Sequence, residues 1–589
     1  MRSLSLPRSA VAAVAIAGFA SPAFAGVPRL TPVDENYVQY LEQFSPATAQ
    51  FCGNATGYAS QVGGSFNPTA RVLTAIGSQP HVYPPGCPQH AREVVVSRRS
   101  ASGAQVDYVF KDPDRFTGYG ASVAVIADGG TTPGSAAAEE VFAVGDPYCM
   151  TSGPSTIHVY DFARRASAND WNGETGCSSS WTAPRTAVQL PRALSTGAPA
   201  AGFGSSVEIA RMPSATAGQG ILLMGAAHGG EHGTPPSALP PTNPRWTHLS
   251  FYQVTPSRLG LSTGVAHKQS IDLRKVSGIP TGWTRIGTDF AMERDLLVVS
   301  SVLLQEPCQS KAPIRELLVF GNSGGTYKLI QRMSSDSPGF EHLAPSLGVV
   351  PPCSSHDVWT SRVSVDIDGD RIHVGMPWQQ PVRGCVATFR RATTASTFKP
   401  EVIVDAPEGS EWFGQLVAGG RGRYLAFSLL STHRDPAQDL PCMLDMYTPG
   451  MPSGGIRCPG DECDRYVSIE PNCRSRDILL MDLQVASTAP SGPVKCLAVR
   501  RSGGIGASGA SEGTIWSDMA FAGPVLFAGA GDGHAIICGQ QVFTCALPGA
   551  TNSHVQKGAS IMHVEEEGMP GDPVWPFVGS PEYAIPCGD

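Results

Sequence analysis

Between Ser361 and Pro377 the side chains alternate in character. Val363, Val365 and Ile367 are separated by polar residues, and after Asp368-Gly369 the alternation resumes at Ile372 and Val374. Alternation with a period of two across an Asp-Gly turn predicts two short antiparallel strands joined as a hairpin. Weaker copies of the pattern run along the chain. Residues 119–123 lead to 141–145 and 157–160, 203–207 lead to 221–225 and 249–252, and 286–288 lead to 296–299 and 317–320. The opening stretch continues to 386–389, and a fifth unit has 412–416, 424–428 and 443–447. A sixth, degraded unit sets 466–469 before 478–481, and a seventh sets 515–517 before 525–529.

Measured from Gly or Ser positions 120, 204, 287, 361, 414, 468 and 517, the units are about 84, 83, 74, 53, 54 and 49 residues apart. The last three steps suit a four-stranded propeller blade, so the first three blades carry insertions. A small sheet cannot bury both faces alone, and several packed around an axis bury one another. Upstream, 93–96 and 106–110 look like outer strands without inner partners, which would complete the last blade and close the ring. Tyr37, Leu41 and Phe44 fall at i, i+4 and i+7, which predicts a short amphipathic helix over 34–44. Residues 46–88 read as irregular. The expected organisation is a leader over 1–25, a cap over 26–89, a propeller over 90–548 and a C-terminal extension over 549–589.

Several units carry a more specific signature: Phe203-Gly204, Phe413-Gly414, Val144-Gly145-Asp146-Pro147, Val374-Gly375-Met376-Pro377, and the outer Val159-Tyr160 and Val319-Phe320. In these residues the chain resembles the FG-GAP repeats of the integrin-alpha-like β-propellers. The resemblance implies an all-β, seven-bladed propeller outside the cytoplasm, usually serving adhesion or ligand binding. It transfers no activity by itself.

Composition narrows the setting. Arg2 and Arg8 precede an apolar run over 10–20 and then Ala23-Phe24-Ala25, the order of a secretory signal peptide cleaved after Ala25. Loss of two basic residues takes the formal charge from −8 to about −10, and no run of Lys and Arg offers a nucleic-acid surface. No later apolar stretch is long enough for a membrane span. Abundant Gly (66) and Pro (50) with only 16% charged residues suit short strands and tight turns. Fifteen cysteines in an exported chain point to disulfides, with at least one thiol left over. Geometry favours Cys442 with Cys458, Cys463 with Cys473, and Cys308 with Cys353, and Cys52 with Cys87 is a further candidate.

Candidate chemistry is sparse. Members of the resembled family often bind calcium in an inner hairpin, and Asp366, Asp368 and Asp370 are the nearest match here. The competing reading makes Asp368-Gly369 the hairpin turn alone, and one acidic position of the family pattern is missing. His228-Gly229-Gly230-Glu231-His232 has a zinc-protease order, but its glycines oppose the helix that chemistry requires. Gly321-Asn322-Ser323-Gly324-Gly325 has a nucleophile-elbow order, yet a strand-like segment follows it, so it reads as a hairpin. The long insertions 147–155, 228–245, 304–312 and 334–355 fall on one rim of a propeller, where function collects. His232, Arg245 and Trp246 are therefore the expected anchors for a protein or glycan ligand. Trp246 has a purely structural alternative, as a pin holding its loop to the blade. A binding or adhesion module is the expected function. The alternatives are an extracellular hydrolase with paired carboxylates in the central channel, or a structural surface protein.

Overall fold

The computed structural model describes residues 29–32, 38–44, 61–67, 72–78, 93–100, 105–111, 119–127, 140–147, 155–168, 180–194, 202–213, 220–229, 246–305, 314–323, 325–334, 364–376, 385–405, 410–411, 414–420, 422–431, 476–483, 493–499, 516–523, 525–530, 558–564 and 584–585. Strands dominate them, and the fold is an all-β propeller arrangement. Five consecutive four-stranded antiparallel sheets occupy the chain from Gln61 to Asp405. Their first strands are Gln61–Asn67, Ser122–Ile126, Val207–Pro213, Trp283–Glu293 and Ser364–Asp368. A sixth sheet is built on Val417–Gly420, Tyr424–Ser431, Arg476–Asp482 and Pro493–Val499, with short strands added at its margins. A further sheet joins Trp516–Ala522, Val525–Ala530, Gly558–Val564 and, from the other end of the chain, Val38–Phe44. The first strand of each sheet touches the first strand of the next in sequence order, and that of the last touches Gln61–Asn67. This cycle encloses a central axis.

The core lies between sheets. Val141, Ile157, Leu222 and Met224 are buried between the second and third, and Leu297, Phe251, Phe320 and Tyr327 between the third and fourth. Burial of such side chains contributes about 1.5–3 kcal/mol each. The repeated glycines have a more specific task. Gly145 lies so close to the Gly204 backbone that a methyl there would run into the Gly204 carbonyl, and Gly375 meets the Gly414 carbonyl in the same way. Ser122 Oγ donates to Gly204 O at 2.8 Å, and Ser364 Oγ donates to Gly414 O at 3.3 Å. The glycine on the second strand of one blade thus receives the glycine that opens the next.

Carboxylates supply a second set of links. Asp289 Oδ1 accepts from Phe290 N and its Oδ2 from Val365 N on the next sheet, at 3.0 and 3.1 Å. Asp366 repeats this with Ile367 N and Gly419 N (2.8 and 2.6 Å), and Asp518 with Met519 N and Val62 N (3.0 and 2.8 Å). The last of these joins the two ends of the cycle. Between the third and fourth sheets the link differs: Trp246 and Gly287 exchange backbone hydrogen bonds at 3.3 and 2.7 Å, and the indole packs on the Gly287 backbone.

Four expectations are corrected. Residues 34–44 do not form the predicted helix; Val38–Phe44 is a strand paired with Gly558–Val564, because pairing to an open edge outweighs a short 3.6-residue pattern. The presumed lead-in contains the hairpin Gln61–Asn67 and Val72–Ser78, which supplies the inner partners of Glu93–Ser100 and Gln105–Lys111. Those strands form a blade of their own, and closure falls to Val38–Phe44 instead. Residues 478–481, expected as the second element of a sixth repeat unit, are the third strand of the sixth sheet, paired with Tyr424–Ser431. Gly558–Val564, assigned to a C-terminal extension, is an integral strand. The leader 1–25, the strand expected over 443–447 and the proposed cysteine pairs lie outside the described residues.

Replacing Gly375 by Ala should cost about 1–3 kcal/mol, the range for forcing a methyl into close-packed surroundings. A denaturant midpoint equal to that of the unaltered protein would show that the two backbones do not meet there.

Candidate functional site

On the first strands of four sheets a partly exposed position carries an acid: Glu208, Asp289, Asp366 and Asp518. Neighbouring residues explain the shared placement. Ser206-Val207-Glu208-Ile209 and Ser364-Val365-Asp366-Ile367 match in two blades save for Glu in place of Asp, while Thr288-Asp289 and Ser517-Asp518 follow a register shift in their hairpins. Such bulges re-aim a side chain without ending the strand. Facing positions on a ring bring the four carboxyls toward one channel.

The four acids lie near enough to bear on one another's charge. Burial raises the Glu208 pKa well above the ordinary glutamate range, and the charges of Asp366, Asp289 and Asp518 raise it further. Asp366 is pushed up to about 8, mainly by burial, against the opposing effect of its backbone donors. A second tier lies at the inner hairpin turns. Glu293 accepts from Gly369 N at 2.6 Å and Asp368 accepts from Gly422 N, and burial raises the pKa of both. Three of the four first-tier acids are therefore occupied in holding backbone N–H groups of two sheets. Glu208 is the exception, because the junction beside it is held by Trp246 and Gly287. A carboxyl kept neutral can donate as well as accept a hydrogen bond.

The anchors expected from sequence fare differently. Trp246 is 1% exposed, wedged between the third and fourth sheets with Phe290 edge-on at 5.7 Å, so it is unavailable to a ligand and serves as the structural pin. His232 and Arg245 lie outside the described residues, as do most of the insertions proposed as a binding rim. Asp366, Asp368 and Asp370 do not converge on a calcium site. The first two hold Gly419 and Gly422, and Asp370 Oδ2 pairs with Arg390 Nε at 2.9 Å. Among the described residues no three His, Cys, Asp or Glu side chains are grouped to hold a metal ion. His228 ends a strand rather than entering a helix, against a zinc-protease site. Gly321-Asn322-Ser323 turns into the fourth strand as a hairpin, as its sequence suggested. Sequence reasoning missed Glu208, although its match to Asp366 across the repeats was a usable signal.

No protein-family model matches this chain, and no curated protein matches it. Similar solved structures include Trypanosoma rangeli sialidase in complex with sialic acid, at 11% identity and TM-score 0.31, covering 70% of this chain and 58% of that one. Penicillium chrysogenum alpha-L-arabinanase complexed with arabinobiose has 11% identity and TM-score 0.30, covering 67% and 94%. The fucose-specific lectin from Aleuria aurantia has 10% identity and TM-score 0.20, covering 60% and 99%. At these values the likeness carries neither activity nor ligand across.

The raised Glu208 pKa makes a signed prediction. Above the ordinary glutamate pKa the folded protein holds a proton that the unfolded chain releases, so this residue's effect on stability becomes unfavourable as pH rises. Glu208→Gln should match the unaltered protein near pH 4 and become the more stable of the two by pH 8. Parallel denaturation curves across that range would contradict the assignment.

Proposed function

We propose that this protein is an exported, seven-bladed, FG-GAP-like propeller that binds a neutral carbohydrate at its central channel, with Glu208 as the principal polar contact. The observation that carries this reading is the division among the channel acids: Asp289, Asp366 and Asp518 hold the ring, and Glu208 is left facing the channel, its pKa raised by burial and by the charges of the other three. The seven-blade count is supported by the closed cycle of first strands. The family assignment is supported by the contacts of Gly145 with Gly204 and of Gly375 with Gly414, which give the repeated glycines a common task. Export is supported by the leader-like first 25 residues.

Carbohydrate suits the channel for a chemical reason. Sugar hydroxyls both donate and accept, which matches a channel whose acids include both protonated carboxyls and carboxylates, whereas an anionic ligand would be repelled. A second reading follows from the same residue. A protonated carboxyl beside ionised ones is the acid and base pairing used in glycoside hydrolysis.

The mature protein should be applied to an array of neutral and acidic oligosaccharides, and the strongest neutral binder measured by calorimetry. Glu208→Gln is expected to weaken that binding about tenfold, equivalent to about 1.4 kcal/mol. Retention of only acidic glycans, or equal affinity in the variant, would overturn the reading. New reducing ends, lost in Glu208→Gln while binding persists, would establish the hydrolase instead.

A further inference from the structure

A chain of side-chain hydrogen bonds crosses the third sheet from its interior to its outer edge, away from the channel. His228 Nε2 meets Ser250 Oγ at 2.7 Å, Ser250 Oγ meets Ser270 Oγ at 2.7 Å, and Ser270 Oγ meets His267 Nε2 at 2.9 Å. His228 and Ser250 are fully buried, Ser270 is half-buried and His267 is exposed. The chain therefore ends where a small molecule can reach it.

The local backbone creates this meeting. Residues 267 and 270 differ by an odd number, and in a regular strand their side chains would stand on opposite faces. The register of Val265–Asp272 against His248–Val254 shifts between Phe251 and Tyr252: His267 faces Tyr252 and Gln269 faces Phe251, leaving Lys268 as the extra residue. That bulge brings His267 and Ser270 to one face. Ser270 is held directly opposite Ser250, and the His267 ring packs edge-on against Tyr252 at 5.3 Å.

In the tautomer that carries its proton on Nδ1, the His267 ring offers Nε2 to accept from Ser270 Oγ. Loss of solvent lowers the ring's pKa below the ordinary histidine value, so the ring is neutral at neutral pH. A hydroxyl donating to a neutral, oriented imidazole is the arrangement that activates a serine.

We propose that Ser270 is a nucleophile activated by His267 as general base, which takes an acyl or phosphonyl group from an activated ester at the outer edge of the third sheet. As Ser270 Oγ bonds to the carbonyl carbon or phosphorus, its proton passes to His267 Nε2 and the leaving group departs with its electron pair. An alkoxide leaving group recovers that proton from His267. Ser250 holds the attacking oxygen from the opposite side.

The test uses an alkyl fluorophosphonate on the folded full-length protein, with the modified residue located by peptide mass spectrometry. Modification at Ser270 is expected, with fluoride released, and His267→Gln should slow it about 100-fold, the lower range for a general base. Thermal melting of His267→Gln alongside the unaltered protein identifies a folding defect, and the unaltered protein's own labelling decides the first point without any variant. Absence of label on Ser270 in the folded protein, or an unchanged rate in a folded His267→Gln, overturns the proposal. Either result leaves the channel reading untouched, since Glu208 is not involved.

Discussion

The propeller depends on how closely one blade can approach the next. At Gly145 against Gly204, and at Gly375 against Gly414, two backbones meet with no room for a side chain between them. That contact sets the spacing at which Val141, Ile157, Leu222 and Met224 can fill the gap between sheets. It also brings each inner strand within hydrogen-bonding distance of its neighbour, so that a single carboxylate can hold N–H groups from both. The glycines therefore come first in the physical order, and the aspartates exploit the closeness they permit.

From this closeness follows an uneven distribution of duties along the channel. Asp289, Asp366 and Asp518 each satisfy donors on two sheets, and each such bond contributes about 0.5–1.5 kcal/mol, more where the acceptor is ionised. The junction beside Glu208 is held by the Trp246 backbone and by indole packing on Gly287, so the acid there has no such duty. Burial in the channel makes it costly for Glu208 to ionise, and the acids that hold the ring add to that cost. The same interactions that close the ring thus prepare a protonated carboxyl inside it.

The sequence made most of the sheets legible because their second and third strands are strongly apolar and punctuated by glycine turns. The hairpin at Gly369 and the one ending in Ser323 were readable from turn residues alone. The first sheet's inner hairpin was not, since Gly63, Gly64, Ser65 and Thr74 interrupt any apolar run, and their places are stabilised by contact with neighbouring blades. Tyr37, Leu41 and Phe44 have helical spacing in a segment whose conformation is decided by a partner more than 500 residues away. Trp246 looked like a ligand anchor because aromatic side chains suit both interfaces and cores, and only burial distinguishes them. Glu208 went unread because nothing in its own strand says that its face turns toward the axis, which shows only once the inner strands are arranged around it.

The most direct test of this account is the protonation state of Glu208 in the folded protein. A difference infrared spectrum between the unaltered protein and Glu208→Gln at pH 7 should show loss of a protonated carboxylic-acid carbonyl band, with no matching loss in the carboxylate bands. Loss of carboxylate bands alone would mean that Glu208 is ionised, and the account of an acid kept neutral in the channel by burial and by its three neighbours would be wrong.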